Sequence, residues 1–111
     1  MRKYIIYCTT EQTKKACELG APITKIILDK ESGTKYFIPT AEQMIGWLEE
    51  QDEISDISIL YLQHREKWIY QVYVFDGGYI DVLNDNYFSN RKEATLAAID
   101  VALEYLTNNK K

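Results

Sequence analysis

Two apolar runs in the middle of the chain, residues 57–63 (ISILYLQ) and 67–75 (KWIYQVYVF), restrict the possible folds most tightly. Both place apolar side chains on alternate positions and again on most positions between, the pattern of strands covered on two faces rather than one. With only His64, Arg65 and Glu66 between them, they read as an antiparallel hairpin. A two-residue loop (65–66) and a four-residue loop (64–67) predict one register: Gln63 opposite Trp68, Tyr61 opposite Tyr70, Ile59 opposite Val72 and Ile57 opposite Val74. Those residues form a face A, rich in β-branched and aromatic groups. Face B then holds Ser58, Leu60, Leu62, Ile69, Gln71, Tyr73 and Phe75.

The next strand, 79–83, follows Asp76-Gly77-Gly78, the clearest turn signal in the chain. A three-residue loop with a glycine bulge sends Ile80 and Val82 to face A and Asp81 to face B; a two-residue loop reverses this. The three-residue form is the expectation, because it makes face A a continuous core.

Around this meander (56–63, 67–75, 79–83) the pattern places helices at about 11–19, 41–51 and 91–107. Thr9 or Thr10 caps the first, Gly20 and Pro22 end it, and its apolar stripe is thin (Ala16, Cys17, Leu19), so it reads as a lid. Thr40 and Gln43 have capping-box spacing before Ala41, Met44, Ile45 and Leu48, with Trp47 on the shoulder. Asn90 and Glu93 open the last helix, where Leu96, Ile99, Leu103 and Leu106 recur at helical spacing. Ala94, Ala97, Ala98 and Ala102 allow it to approach a sheet closely. Residues 24–38 read as a further hairpin about KESG, and residues 3–8 either as a short strand or as edge packing. The expected class is α+β: an antiparallel sheet with the helices at 41–51 and 91–107 on face A, in one domain spanning 1–111. Leu60, Leu62, Ile69, Tyr73 and Phe75 are then the candidate partner-binding residues. They make a larger apolar strip than a monomer usually shows to water, unless the N-terminal hairpin and helix or a second copy cover it.

Composition narrows the function more by exclusion than by indication. Residues 41–90 carry two Lys/Arg against ten Asp/Glu, so the region holding the sheet repels a phosphate backbone. Nucleic acid is therefore the lesser of two partner expectations, resting on single-strand stacking over Tyr61, Trp68, Tyr70, Tyr73 and Tyr79, with the basic N-terminal third as its only electrostatic support. No stretch approaches the roughly 20 apolar residues of a membrane span, and the start is too short for a signal-peptide core. Cys8 and Cys17 form neither a disulfide framework nor a zinc motif, which fits a reduced cytoplasmic setting. A Cys–His nucleophile with the lone His64 lacks a glycine-rich oxyanion turn. Glu49, Glu50, Asp52, Glu53 and Asp56 lack calcium-loop spacing, as do Asp76, Asp81 and Asp85. The expectation is no enzyme, no cofactor and no metal.

The ordered set Leu19-Gly20, Pro39-Thr40, Trp47-Leu48, Ile57/Ile59, Trp68 and the Ala/Leu-rich stretch 94–106 resembles a family of short uncharacterised proteins of Bacteroidetes genomes, phages and prophages. The resemblance implies a cytoplasmic α+β protein in a mobile-element setting and carries no activity or catalytic residue. Together with the two-sided hairpin, it leads to an accessory protein that binds a protein partner, or itself, through a sheet face.

Overall fold

The computed structural model describes residues 5–27, 33–84 and 87–109. Its elements run α1 Thr10–Glu18, β1 Lys25–Ile27, β2 Thr34–Tyr36, α2 Ala41–Glu49, β3 Ile54–Leu62, β4 Lys67–Asp76, β5 Tyr79–Leu83 and α3 Arg91–Asn109. The three long strands form an antiparallel sheet in the order β3-β4-β5, and β1 pairs with β2 in a separate two-stranded ribbon. The fold is α+β, with α2 and α3 against one face of the sheet and α1 against α3. The KESG turn lies mostly outside the described residues.

The helices start where short-range hydrogen bonding dictates. Thr9 and Thr40 each accept the N–H of the residue three positions on, and Gln12 and Gln43 return the bond to the cap backbone. Asn90 accepts the Glu93 N–H at the start of α3. Ala94, Ala98 and Ala102 are fully buried together with Ile99, Leu103 and Leu106, so the small side chains bring the α3 backbone close to β4 and the large ones fill the space beside it. At the far end the Tyr105 hydroxyl donates to the Phe75 carbonyl, 2.9 Å away. Residues 6–8 form no full strand: Tyr7 makes an isolated bridge with Thr40, which ties the chain start to the head of α2.

The lid helix α1 differs from its thin apolar stripe. It buries Gln12 and Thr13 beside Ala16. The Gln12 amide donates to the Leu96 carbonyl and to the Asp100 carboxylate, both at 2.8 Å. Its oxygen accepts from Thr9. A buried amide with every such bond made positions a helix as firmly as a leucine would, and adds direction.

Three details of the sheet depart from the sequence expectation. The β3–β4 loop occupies residues 63–66, with Glu66 in the left-handed region at φ 53°, so Leu62 faces Lys67 and the register is shifted by two residues. Tyr61 consequently faces Trp68, Ile59 faces Tyr70 and Ile57 faces Val72. A shift of two preserves parity, so face A remains the core side. β3 begins at Ile54 rather than 56, and a bulge between Ile54 and Asp56 turns Ile54 onto the helix side opposite Val74. Without that extra residue, alternation would put Ile54 on the other face.

The third departure is a reversal. Asp76 faces Tyr79 across a two-residue loop, with Gly77 at φ 58° and Gly78 at φ 90°. Positive φ at both central positions is the turn geometry whose twist matches two right-twisted strands, and two glycines adopt it without strain. Ile80 and Val82 therefore lie on face B, opposite Phe75 and Tyr73, and not on face A. Asp81 lies on the helix side opposite Val74, not on face B, and stays exposed because the helices cover β3 and β4 rather than β5.

The contrast between the two capping boxes is testable. Gln43→Ala is expected to cost about 1 kcal/mol or less in urea unfolding, because only an exposed cap is lost. Gln12→Ala should cost about 2–3 kcal/mol, because the Leu96 carbonyl and Asp100 lose a buried partner as well. Equal losses would mean that Gln12 does not anchor α1.

Candidate interaction face

Face B is built by alternation along three strands. Across them it reads Leu62–Lys67, Leu60–Ile69, Ser58–Gln71, Asp56–Tyr73–Val82 and Phe75–Ile80. The apolar members run as a diagonal band from Leu62 at one corner to Ile80 at the other. The fractional exposures are 41% for Leu60, 48% for Phe75, 59% for Ile80 and 37% for Val82. Leu62, Ile69 and Tyr73 are half-buried by their neighbours. The structure thus places all five sequence-predicted residues on one side and adds Ile80 and Val82, which the loop-parity expectation had put in the core. The signal for these two was the Gly-Gly pair itself, since Asp76 then belongs to the strand and not to the turn.

No helix lies over this face among the described residues. β2 adjoins α1 on the opposite side of the molecule, so the N-terminal ribbon is not the cover anticipated as one option. The polar groups on the face satisfy each other: Tyr73 donates to the Gln71 side chain at 2.8 Å, and Ser58 donates to Asp56 at 3.2 Å. The apolar groups are interrupted at the middle by the Ser58–Gln71 pair and flanked by the exposed Asp56 and Lys67.

The sheet edges are arranged differently. On the outer edge of β3 the Glu49 carboxylate accepts the Ile57 N–H at 3.1 Å. On the outer edge of β5 the Asp81 carboxylate accepts the Val82 N–H at 2.9 Å. An incoming strand would have to displace a carboxylate at either edge, which is how native sheets resist edge pairing. Burial raises the Glu49 carboxyl above its ordinary value, and the neighbouring Asp56 adds to the effect.

The residues considered for chemistry do not converge. Cys8 is buried, and desolvation with the nearby Asp100 charge pushes its thiol up to about 11, the opposite of an activated nucleophile. His64 is exposed in the β3–β4 loop, and no hydrogen bond joins it to either cysteine among the described residues. No group of three or more His, Cys, Asp or Glu side chains is placed to hold a metal ion among the described residues. A cleft of about 250 Å³ between the Ala21–Ile23 stretch and α2 is lined by Pro22, Pro39, Met44 and Trp47, with Gln43 its one polar side chain. Of the five aromatics considered as a stacking platform, Tyr61, Trp68, Tyr70 and the exposed Tyr79 lie on face A and Tyr73 on face B. Tyr61 and Trp68 pack together with centroids 5.2 Å apart, and Tyr70 is buried under the helices. No helix of the described residues is long and apolar enough to cross a membrane.

Comparison with protein-family models, with curated proteins and with solved structures gives no match.

The thiols provide a check on this electrostatic picture. Native protein should react with iodoacetamide at the half-buried Cys17, while Cys8 reacts only after unfolding. Because the native Cys8 value lies above the ordinary 9.0, its contribution to stability is complete below about pH 9 and lost as pH rises through about 11. Denaturant midpoints across that range should fall in wild type and fall less in Cys8→Ala.

Proposed function

We propose that this chain is a non-enzymatic interaction protein that binds a protein partner, or another copy of itself, through face B of its sheet. The observation that carries the reading is an apolar band across all three strands, open to solvent on the side away from the helices. Exposed apolar area of this kind on a sheet face supports an interaction surface, although the Ser58–Gln71 pair divides it into two apolar groups. The guarded edges favour the face over strand addition as the docking mode. His64, Cys8 and Cys17 do not converge, and base stacking is disfavoured because Tyr70 is buried, Tyr73 lies on the other face and the surrounding region is acidic. The sequence resemblance to Bacteroidetes phage and prophage proteins supports reading it as a cytoplasmic accessory protein of a mobile element.

The test is site-specific photocrosslinking in cells. A photoreactive residue at position 80, on the band, should give one reproducible adduct identifiable by mass spectrometry. The same residue at position 104, exposed on α3, should not. Adducts of equal yield from both positions, or none from position 80, would contradict the reading.

A further inference from the structure

We infer that the cleft between the Ala21–Ile23 stretch and α2 is a binding site, and that its ligand is a proline-rich segment of another protein in the extended polyproline conformation. The cleft lies beside α2, on the helix side of the sheet, and stands apart from the reading of face B. Its walls are set before a ligand arrives. Ala21 is buried with its N–H on the Ala16 carbonyl at 2.9 Å, and Met44 is part of the core.

The hydrogen-bonding inventory of the cleft carries the inference. Pro22, Ile23, Pro39, Met44 and Trp47 make the walls apolar, and no charged side chain lines them. Two side-chain polar groups reach the cleft, and both are left as donors. Within the chain Gln43 only caps α2: its Oε1 accepts the Thr40 N–H at 3.0 Å, which fixes the amide and leaves Nε2 without a partner among the described residues. The indole N–H of the half-buried Trp47 has no partner among them either, and it is not sealed from solvent. The acceptors nearby are engaged in the fold. The Ala21 carbonyl accepts from Ile23, the Pro39 carbonyl from Cys8, and the Trp47 carbonyl from Glu50 and the Gln51 side chain.

A ligand that fits brings apolar surface and acceptors, with neither charge nor donors. Prolyl peptide has that inventory. Its amide carries a carbonyl and no N–H, and the polyproline helix makes no internal hydrogen bonds, so its carbonyls are free to accept. An ordinary peptide brings one N–H for each carbonyl, and an N–H buried against these walls would lose its water without gaining a partner. Trp47 offers a flat ring for a pyrrolidine with a donor at its rim, which is how aromatic grooves take proline-rich segments. The length agrees as well. Gln43 and Trp47 stand four residues apart on α2, about 6 Å along its axis, and two residues of polyproline span about 6 Å. The cleft holds about 250 Å³, below the roughly 300–1,000 Å³ of sites for drug-sized molecules, so it suits a short stretch of chain. So small a contact is weak, with a dissociation constant on the order of hundreds of micromolar.

The test is a titration of the full chain with octaproline to about 5 mM, followed in two-dimensional amide NMR spectra, with a Gly-Ser peptide of equal length as control. Trp47 and Trp68 give the two indole signals, and Trp47→Phe identifies the first. Octaproline should shift the Trp47 indole N–H and the Gln43 side-chain amide and leave the Trp68 indole in place. The Gly-Ser peptide should shift neither. Gln43→Glu keeps the cap, because a carboxylate accepts the same Thr40 N–H, and removes only the free donor. Trp47→Phe keeps a ring and removes the other donor. Each variant should raise the dissociation constant, read from the Ile23 and Met44 backbone amides, at least about five-fold with an unchanged circular-dichroism spectrum. No shift with octaproline overturns the site, and equal shifts with the Gly-Ser peptide overturn the proline chemistry. Binding that both variants leave unchanged, or shifts centred on Leu60 and Ile80, overturns the choice of cleft.

Discussion

The two glycines at 77 and 78 set the side on which each residue of the third strand lies, and much of the surface follows from them. Their positive φ angles close β4 onto β5 with two loop residues, and a loop of two rather than three inverts every side chain beyond it. Ile80 and Val82 thereby join Tyr73 and Phe75 away from the helices, while Asp81 goes to the helix side at a place the helices do not reach. The result is a sheet whose covered face ends at β4 and whose open face extends across all three strands.

The covered face is secured by a different kind of constraint. The buried alanines of α3 let a long helix lie close over β4, and the large residues between them seal Tyr70, Val72 and Val74. α1, which has little apolar surface of its own, is held by the Gln12 amide instead. A polar anchor of this sort gains its value from burial, since the same glutamine position in α2 is exposed and does no more than cap its helix. Helix packing and sheet parity are thus independent, and together they leave one face saturated and the other bare.

Much of this was legible in the sequence where the controlling interaction is local. The caps at Thr40 and Asn90 and the stripe of the last helix depend on neighbours three or four residues away. The faces of β3 and β4 were legible even though their register was misplaced by two, because side-chain direction has a period of two. That the five candidate residues from Leu60 to Phe75 share one face was legible for the same reason. Ile80 and Val82 were not, because their side depends on a single loop residue. The role of Gln12 was hidden because its partners lie 84 and 88 positions further on. The bulge that returns Ile54 to the core had no local signature either.

One outward amide on each edge strand is taken by a carboxylate and the open face carries an exposed apolar band, which is why the face is proposed as the docking surface. That conclusion stands on the assignment of adjacent β4 residues to opposite environments. The most direct test is a paired thermal unfolding measurement on Val74→Asp and Phe75→Asp at low protein concentration. Val74 is sealed beneath α3 and Phe75 is about half exposed, so the first substitution should abolish cooperative unfolding and the second should move the midpoint by no more than about 3 °C. Comparable collapse of both variants would show that face B is core and contradict the account.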